Sequence, residues 1–109
     1  MLISEMVKAA HENAKEKGFW DKEVDDGKSI ALMHSELSEA LEALRINSYR
    51  DHTYYRASDG KPEGLLYELA DCVIRIADYC GKHNLDLQYA IEKKMNFNKT
   101  RPPMHGKKF

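Results

Sequence analysis

The chain has 109 residues and a mass of 12.6 kDa, room for a single domain. Hydrophobic residues at 42% and charged residues at 32% exclude a wholly disordered chain, and 17 Lys+Arg against 18 Asp+Glu argue against a nucleic-acid polymer as partner. No apolar run approaches the roughly 20 residues that span a bilayer, and Met1-Leu2-Ile3-Ser4-Glu5 lacks the pattern of a secretory signal. No membrane partner is expected, and the expected compartment is the cytoplasm.

Four helical segments and no strong strand follow from the apolar spacing. The first covers residues 2–17, with Leu2, Ile3, Met6, Val7, Ala10 and Ala14 in helical repeat and Gly18 as its stop. A short acidic loop then carries Phe19 and Trp20, suited either to stacking on a nucleobase or to plugging the end of a bundle. The second helix covers residues 29–46, with Ile30, Met33, Leu37, Ala40, Leu41 and Leu44 as its main stripe. Ser29 or the Asp25-Asp26-Gly27 turn supplies its cap.

Residues 47–61 are polar, with Asp59-Gly60 as turn chemistry and room for a small hairpin around Tyr54-Tyr55. Pro62 and Glu63 suit the first turn of a third helix, which carries Leu65, Leu66, Leu69, Val73, Ile76, Ala77 and Cys80 and stops near Gly81. The fourth helix covers residues 86–99, and Pro102-Pro103 forbids its continuation. The expected architecture is a small antiparallel four-helix bundle, all-α, for which oligomerisation is an easy way to bury more apolar surface.

Cys72 and Cys80 sit about 12 Å apart along one predicted helix, beyond disulfide reach, and read as core or near-core residues. His11, His52 and His83 have no paired ligand spacing and read as surface or helix-end residues.

Two helices carry acids in matching places: Glu36-Leu-Ser-Glu39 and Glu68-Leu-Ala-Asp71. An i,i+3 spacing sets each pair on one side of its helix, so packing the two helices together gathers four carboxylates. Crowded anions need cations, and oxygen-only ligation suits Mg²⁺ or Mn²⁺. Alone, either pair is ordinary surface chemistry. Glu36 and Glu39, however, lie roughly 100° and 160° from the main stripe, on a second face that also holds Leu32, Ala43 and Ile46. That mixture suggests a covered site, a subunit contact, or both. Arg75 stands near Glu68 and Asp71 on the wheel and suits a structural ion pair. A di-iron bundle would need Glu-x-x-His, and no Glu here is followed by His at that spacing. Near the C-terminus, Lys94, Asn98 and Arg101 share a helix face, either as cations complementing the helix dipole or as a polyphosphate grip.

Taken in order, these pieces resemble a known family. His34-Ser-Glu-Leu-Ser-Glu-Ala-Leu-Glu-Ala-Leu-Arg45 and Glu68-Leu-Ala-Asp-Cys-Val-Ile-Arg-Ile-Ala-Asp78 resemble the metal-binding signature of the MazG-like, all-α nucleoside triphosphate pyrophosphatases. Lys94-Met-Asn-Phe-Asn98-Lys-Thr-Arg-Pro with His105-Gly-Lys-Lys resembles the C-terminal signature of its small members. The likeness covers residues 28–109, with a core at 28–101 and a basic tail at 102–109. Ser35 precedes Glu36 where many members carry a second glutamate.

The resemblance implies Mg²⁺-dependent hydrolysis of a (deoxy)nucleoside triphosphate to monophosphate and pyrophosphate, in a homodimer or homotetramer. It further implies Glu36, Glu39, Glu68 and Asp71 as catalytic and metal-binding, with Lys94 and Asn98 at substrate-contacting positions. Arg101 and Trp20 join them as expected substrate contacts. The rival expectations are a non-catalytic Mg²⁺ and nucleotide sensor, or a helical oligomerisation module.

Overall fold

Four helices form where the apolar spacing predicts them: α1 (Ile3–Glu16), α2 (Asp26–Ile46), α3 (Leu65–Lys82) and α4 (Leu87–Lys99). A two-stranded antiparallel hairpin, β1 (Tyr54–Tyr55) with β2 (Pro62–Glu63), lies between α2 and α3. The structure, a computed structural model, describes residues 1–46 and 49–103. The tail from Met104 and the His105-Gly-Lys-Lys part of the C-terminal signature lie outside the described residues.

The helix ends differ from expectation in three places. Helix α2 begins at Asp26, ahead of Ser29, because the Asp25 carboxylate caps it by accepting from the Lys28 N–H at 2.7 Å. Pro62 and Glu63 are strand rather than helix, pairing with Tyr55 and Tyr54. A two-stranded ribbon has free edges, so the missing Pro62 N–H is tolerated there. Gly64, at φ 131°, then turns the chain into α3, and a Cβ at that point would collide with the His52 carbonyl. Finally, α3 runs through Gly81 to Lys82, and Asn84 takes the left-handed conformation at φ 56°. Gly81 serves close approach instead of capping: a Cβ there would meet the His11 Cβ at 2.5 Å.

Helix α3 is the centre of the molecule. α1 and α2 flank it and make the extensive helix contacts, while α4 touches α1 through contacts such as Ser4 N–H to Gln88 Oε1 at 3.0 Å. His11 meets Asp78 while Val7 lies against Gly81, and Asp26 meets Tyr79 while Met33 meets Cys72, so both flanking helices run antiparallel to α3. α4 has no comparable contact with α2 or α3, and the four helices do not close around one core.

That arrangement leaves the core thin. Its buried apolar residues are Ala14, Ala40, Cys72, Ala77 and Cys80, and among the described residues no large side chain is fully buried. Both cysteines are free and buried, as their spacing predicts. Of the stripe expected to form the α2 core, Ala40 is buried and Met33 half-buried, but its other members are exposed: Ile30, Leu37, Leu41 and Leu44 are 45%, 46%, 61% and 36% exposed. The face that meets α3 instead carries Ser29, Glu36 and Ala40.

Candidate functional site

Antiparallel packing of α2 on α3 sets the register that brings the acids together. The Cys72 thiol donates to the Met33 carbonyl at 3.6 Å, and Arg75 Nε donates to Glu36 Oε1 at 2.7 Å. Small residues at Ala40 and Cys72 let the helices approach closely at this level. One carboxylate oxygen each from Glu36, Glu39 and Glu68 then lie within 4.8 Å of one another. Glu36 and Glu68 are buried, at 7% exposure each, and Glu39 is exposed.

The electrostatics of the cluster are strained by its own charge. Burial pushes the Glu68 carboxyl up to about 7, aided by its hydrogen bond with Glu39 and the charges of Glu39 and Asp71. Burial also raises the Asp71 carboxyl, with the Glu36 charge next in effect. Lys61 opposes both shifts. Arg75 forms an ion pair, but with Glu36 of α2 rather than with Glu68 or Asp71 beside it on α3, because the packing of the two helices brings Glu36 within reach. Glu68 Oε2 is buried and has no hydrogen-bond partner, the sole such side-chain atom among the described residues. A buried carboxylate oxygen left this way costs about 1–3 kcal/mol or more unless something else satisfies it.

Asp71 stands outside the group of three but lines a cavity of about 280 Å³ together with Glu36, Lys61, Arg75 and Asp78. Phe19, Arg75 and Asp78 also line a second cavity of about 300 Å³, whose other walls include Trp20, Ser29, Leu32, Met33 and Tyr79. The two cavities adjoin at those three residues, with acids and Lys61 lining the first and Trp20 and Tyr79 lining the second. Trp20 is pinned there, its Nε1–H donating to Asp78 Oδ1 at 2.8 Å, and it packs edge-on against His11 and His83. It both fills the gap between loop and helix and lines the second cavity.

The remaining expected substrate residues are elsewhere. Lys94, Asn98 and Arg101 are exposed at the end of α4 and just past it, and Arg101 lies over the Phe97 ring at 5.6 Å. They line neither of these cavities, because α4 packs on α1, at the opposite flank of α3 from α2.

Three residues at the site carried no functional expectation. Lys61 sits next to the Asp59-Gly60 turn, and nothing in its local pattern marks it. His11 was expected at the surface or a helix end; it is half-buried, and its Nδ1 lies 2.9 Å from Asp78 Oδ1. Asp78 is in the second acidic motif, but only the fold brings Trp20 and His11 to it. His83 does stand at a helix end, as the cap of α3. No described helix is long and apolar enough to cross a membrane. Comparison of the chain with protein-family models, with curated proteins and with solved structures finds no significant match in any of the three.

Proposed function

We propose that this protein is a Mg²⁺-dependent hydrolase that cleaves nucleoside triphosphates to monophosphate and pyrophosphate, and that it works as a homo-oligomer. The observation that carries the reading is that Glu68, one of the three clustered carboxylates, has a buried and unpartnered oxygen, Oε2. A hard divalent cation fits a set of donors that are all oxygens, and it answers both the missing partner and the excess negative charge. The likeness of the acidic motifs to the MazG-like pyrophosphatases points the same way.

In this reading Glu36, Glu39 and Glu68 hold the ion. Arg75 keeps Glu36 in one rotamer, and exposed Glu39 closes the group from the solvent side. A bound Mg²⁺ supplies Lewis acidity, offsetting phosphate charge as the anhydride breaks. Asp71 lines a cavity with Glu36 and stands outside the tight group, and in this reading its carboxylate takes a proton from the attacking water. Water oxygen bonds to the α-phosphorus, the bond to the bridging oxygen breaks, and pyrophosphate leaves. No Ser or Cys nucleophile is required, since phosphoryl chemistry depends mainly on placement and charge.

The oligomer rests on the exposed face. Because α2 and α3 are antiparallel, the residue following each inward-facing position turns to the same side of the pair. Ile30, Leu37 and Leu41 follow Ser29, Glu36 and Ala40; Leu69 and Val73 follow Glu68 and Cys72. One continuous apolar face results, and a second copy is the occupant it fits, since such a face on an antiparallel pair can meet itself about a two-fold axis. Lys94, Asn98 and Arg101 are assigned to substrate from a neighbouring copy. Leu41→Glu is expected to shift wild-type oligomers to monomers in sedimentation velocity; a wild-type monomer overturns this part.

The activity is tested by incubating a panel of ribo- and deoxynucleoside triphosphates with the protein, with Mg²⁺ or chelator, and detecting pyrophosphate and orthophosphate separately. Metal-dependent pyrophosphate with equal monophosphate is expected. Orthophosphate overturns the site of cleavage, and nucleotide binding without any product turns the reading to a sensor.

A further inference from the structure

The hairpin between α2 and α3 is built to hold one lysine. Arg56 forms a two-pronged pair with Asp59, at 2.9 and 2.6 Å, and Asp59 Oδ1 also accepts from the Lys61 N–H at 3.2 Å. The Gly60 N–H donates to the Arg56 carbonyl at 2.7 Å, and the Arg56 N–H to the Lys61 carbonyl at 2.8 Å. The Arg56 guanidinium, then the Lys61 N–H, holds the Asp59 carboxyl down at about 2, so the turn stays closed across ordinary pH. Strand β2 passes through buried Gly64 straight into α3, whose first turns carry Glu68 and Asp71. The backbone of Lys61 is thus fixed by the turn on one side and leads through β2 into α3 on the other.

Its side chain uses that position. Lys61 lines the cavity shared by Glu36 and Asp71, yet forms no ion pair within 4.0 Å among the described residues. Its charge is felt by Glu68 and Asp71 without contact. A lysine serving only to neutralise a carboxylate would close on it, as Arg75 does on Glu36. Lys61 instead stands at the rim as a point charge on a long stem, suited to meeting an anion that arrives. Phe19, Arg75 and Asp78 line both this cavity and the neighbouring one that holds Trp20 and Tyr79, so a charged cavity and an aromatic one lie side by side.

We infer that Lys61 binds the polyphosphate of the substrate, with the nucleoside lying toward Trp20. This rests on the nucleotide-hydrolase reading above and adds to it a substrate-binding residue supplied by the hairpin of the same chain.

The test uses the full chain and a non-hydrolysable α,β-methylene nucleoside triphosphate with Mg²⁺, titrated by calorimetry, beside Mn²⁺ alone followed by electron paramagnetic resonance. Lys61→Met is expected to weaken the triphosphate analogue at least tenfold, to weaken a nucleoside monophosphate less, and to leave Mn²⁺ affinity equal or tighter. Lys61→Arg restores most of the loss. Asp59→Ala, which frees the turn while keeping the lysine, gives a smaller loss of the same kind. Analogue binding unchanged in Lys61→Met overturns the inference, and so does a matching fall in Mn²⁺ affinity, which would make the lysine structural. Where wild type hydrolyses nucleotide and Lys61→Met is unaffected, the inference alone fails; where wild type binds no nucleotide, the functional reading fails with it.

Discussion

Of the half-buried to buried acids on helix α3, Glu68 and Asp78 lie about 15 Å apart along its axis. They have opposite fates. Asp78 gathers Trp20 Nε1–H at 2.8 Å and His11 Nδ1 at 2.9 Å on one oxygen, tying α1 and the following loop to the central helix. Glu68 gathers other acids, and one of its oxygens has no partner. A satisfied buried carboxylate ties elements together, whereas an unsatisfied one among like charges is held at an energetic cost. The same residue class on one helix thus meets two environments, set by what the neighbouring elements present to it.

Substitutions that exchange those fates test the contrast. The largest effect is expected at Glu39, which is exposed: Glu39→Gln should cut metal-dependent pyrophosphate release by about three orders of magnitude, ~4 kcal/mol of barrier, with melting no lower than wild type, since it removes a like charge beside Glu68. Retained hydrolysis would remove the carboxylate cluster from the mechanism. Next comes Asp78→Ala, which strands the Trp20 and His11 nitrogens together and should cost about 3 kcal/mol of stability. Chemical denaturation measures that loss, and Mn²⁺ affinity of the folded fraction should not change. A variant as stable as wild type would mean that the Asp78 network does not hold the fold.

The smallest effect sharpens the other half of the comparison. The Glu68 carboxyl titrates at about 7 against 4.5 for an ordinary one. Its stabilising contribution is therefore fully present below about pH 4.5 and lost as pH rises through 7. Metal-free wild type should melt at a lower temperature at pH 8 than at pH 5. Glu68→Gln should remove most of that dependence and gain on the order of 2 kcal/mol at pH 8. Mg²⁺ at pH 8 should raise the melting temperature of wild type and not of this variant. Identical pH profiles for the two proteins would show that Glu68 is not the strained group.

Much of this was legible beforehand, and for identifiable reasons. Helical spacing located all four helices within a few residues, and Gly18 ends the first helix region at φ 85° as its position suggests. The i,i+3 spacing of the acids put each pair on one side of its helix, and three of the four do meet. The error in the α2 stripe has a physical source. Helix α2 is apolar on two faces, and periodicity cannot rank two apolar faces without knowing which one a partner helix covers. Pro62 misled in a related way, since its fixed φ suits a strand edge as well as a helix start.

The amino-acid sequence by itself determined where helices form, where they stop, and which residues share a face, because those depend on interactions within a few residues. Tertiary structure alone decided that Ser29, Glu36 and Ala40 turn inward, that α4 goes to α1, and that Lys61 lines a cavity with Glu36 and Asp71. Those outcomes depend on how elements far apart in the chain fit around α3. Small residues at Ala40, Cys72, Ala77 and Gly81 set where its neighbours can approach, and the charge gathered at those contacts makes the site.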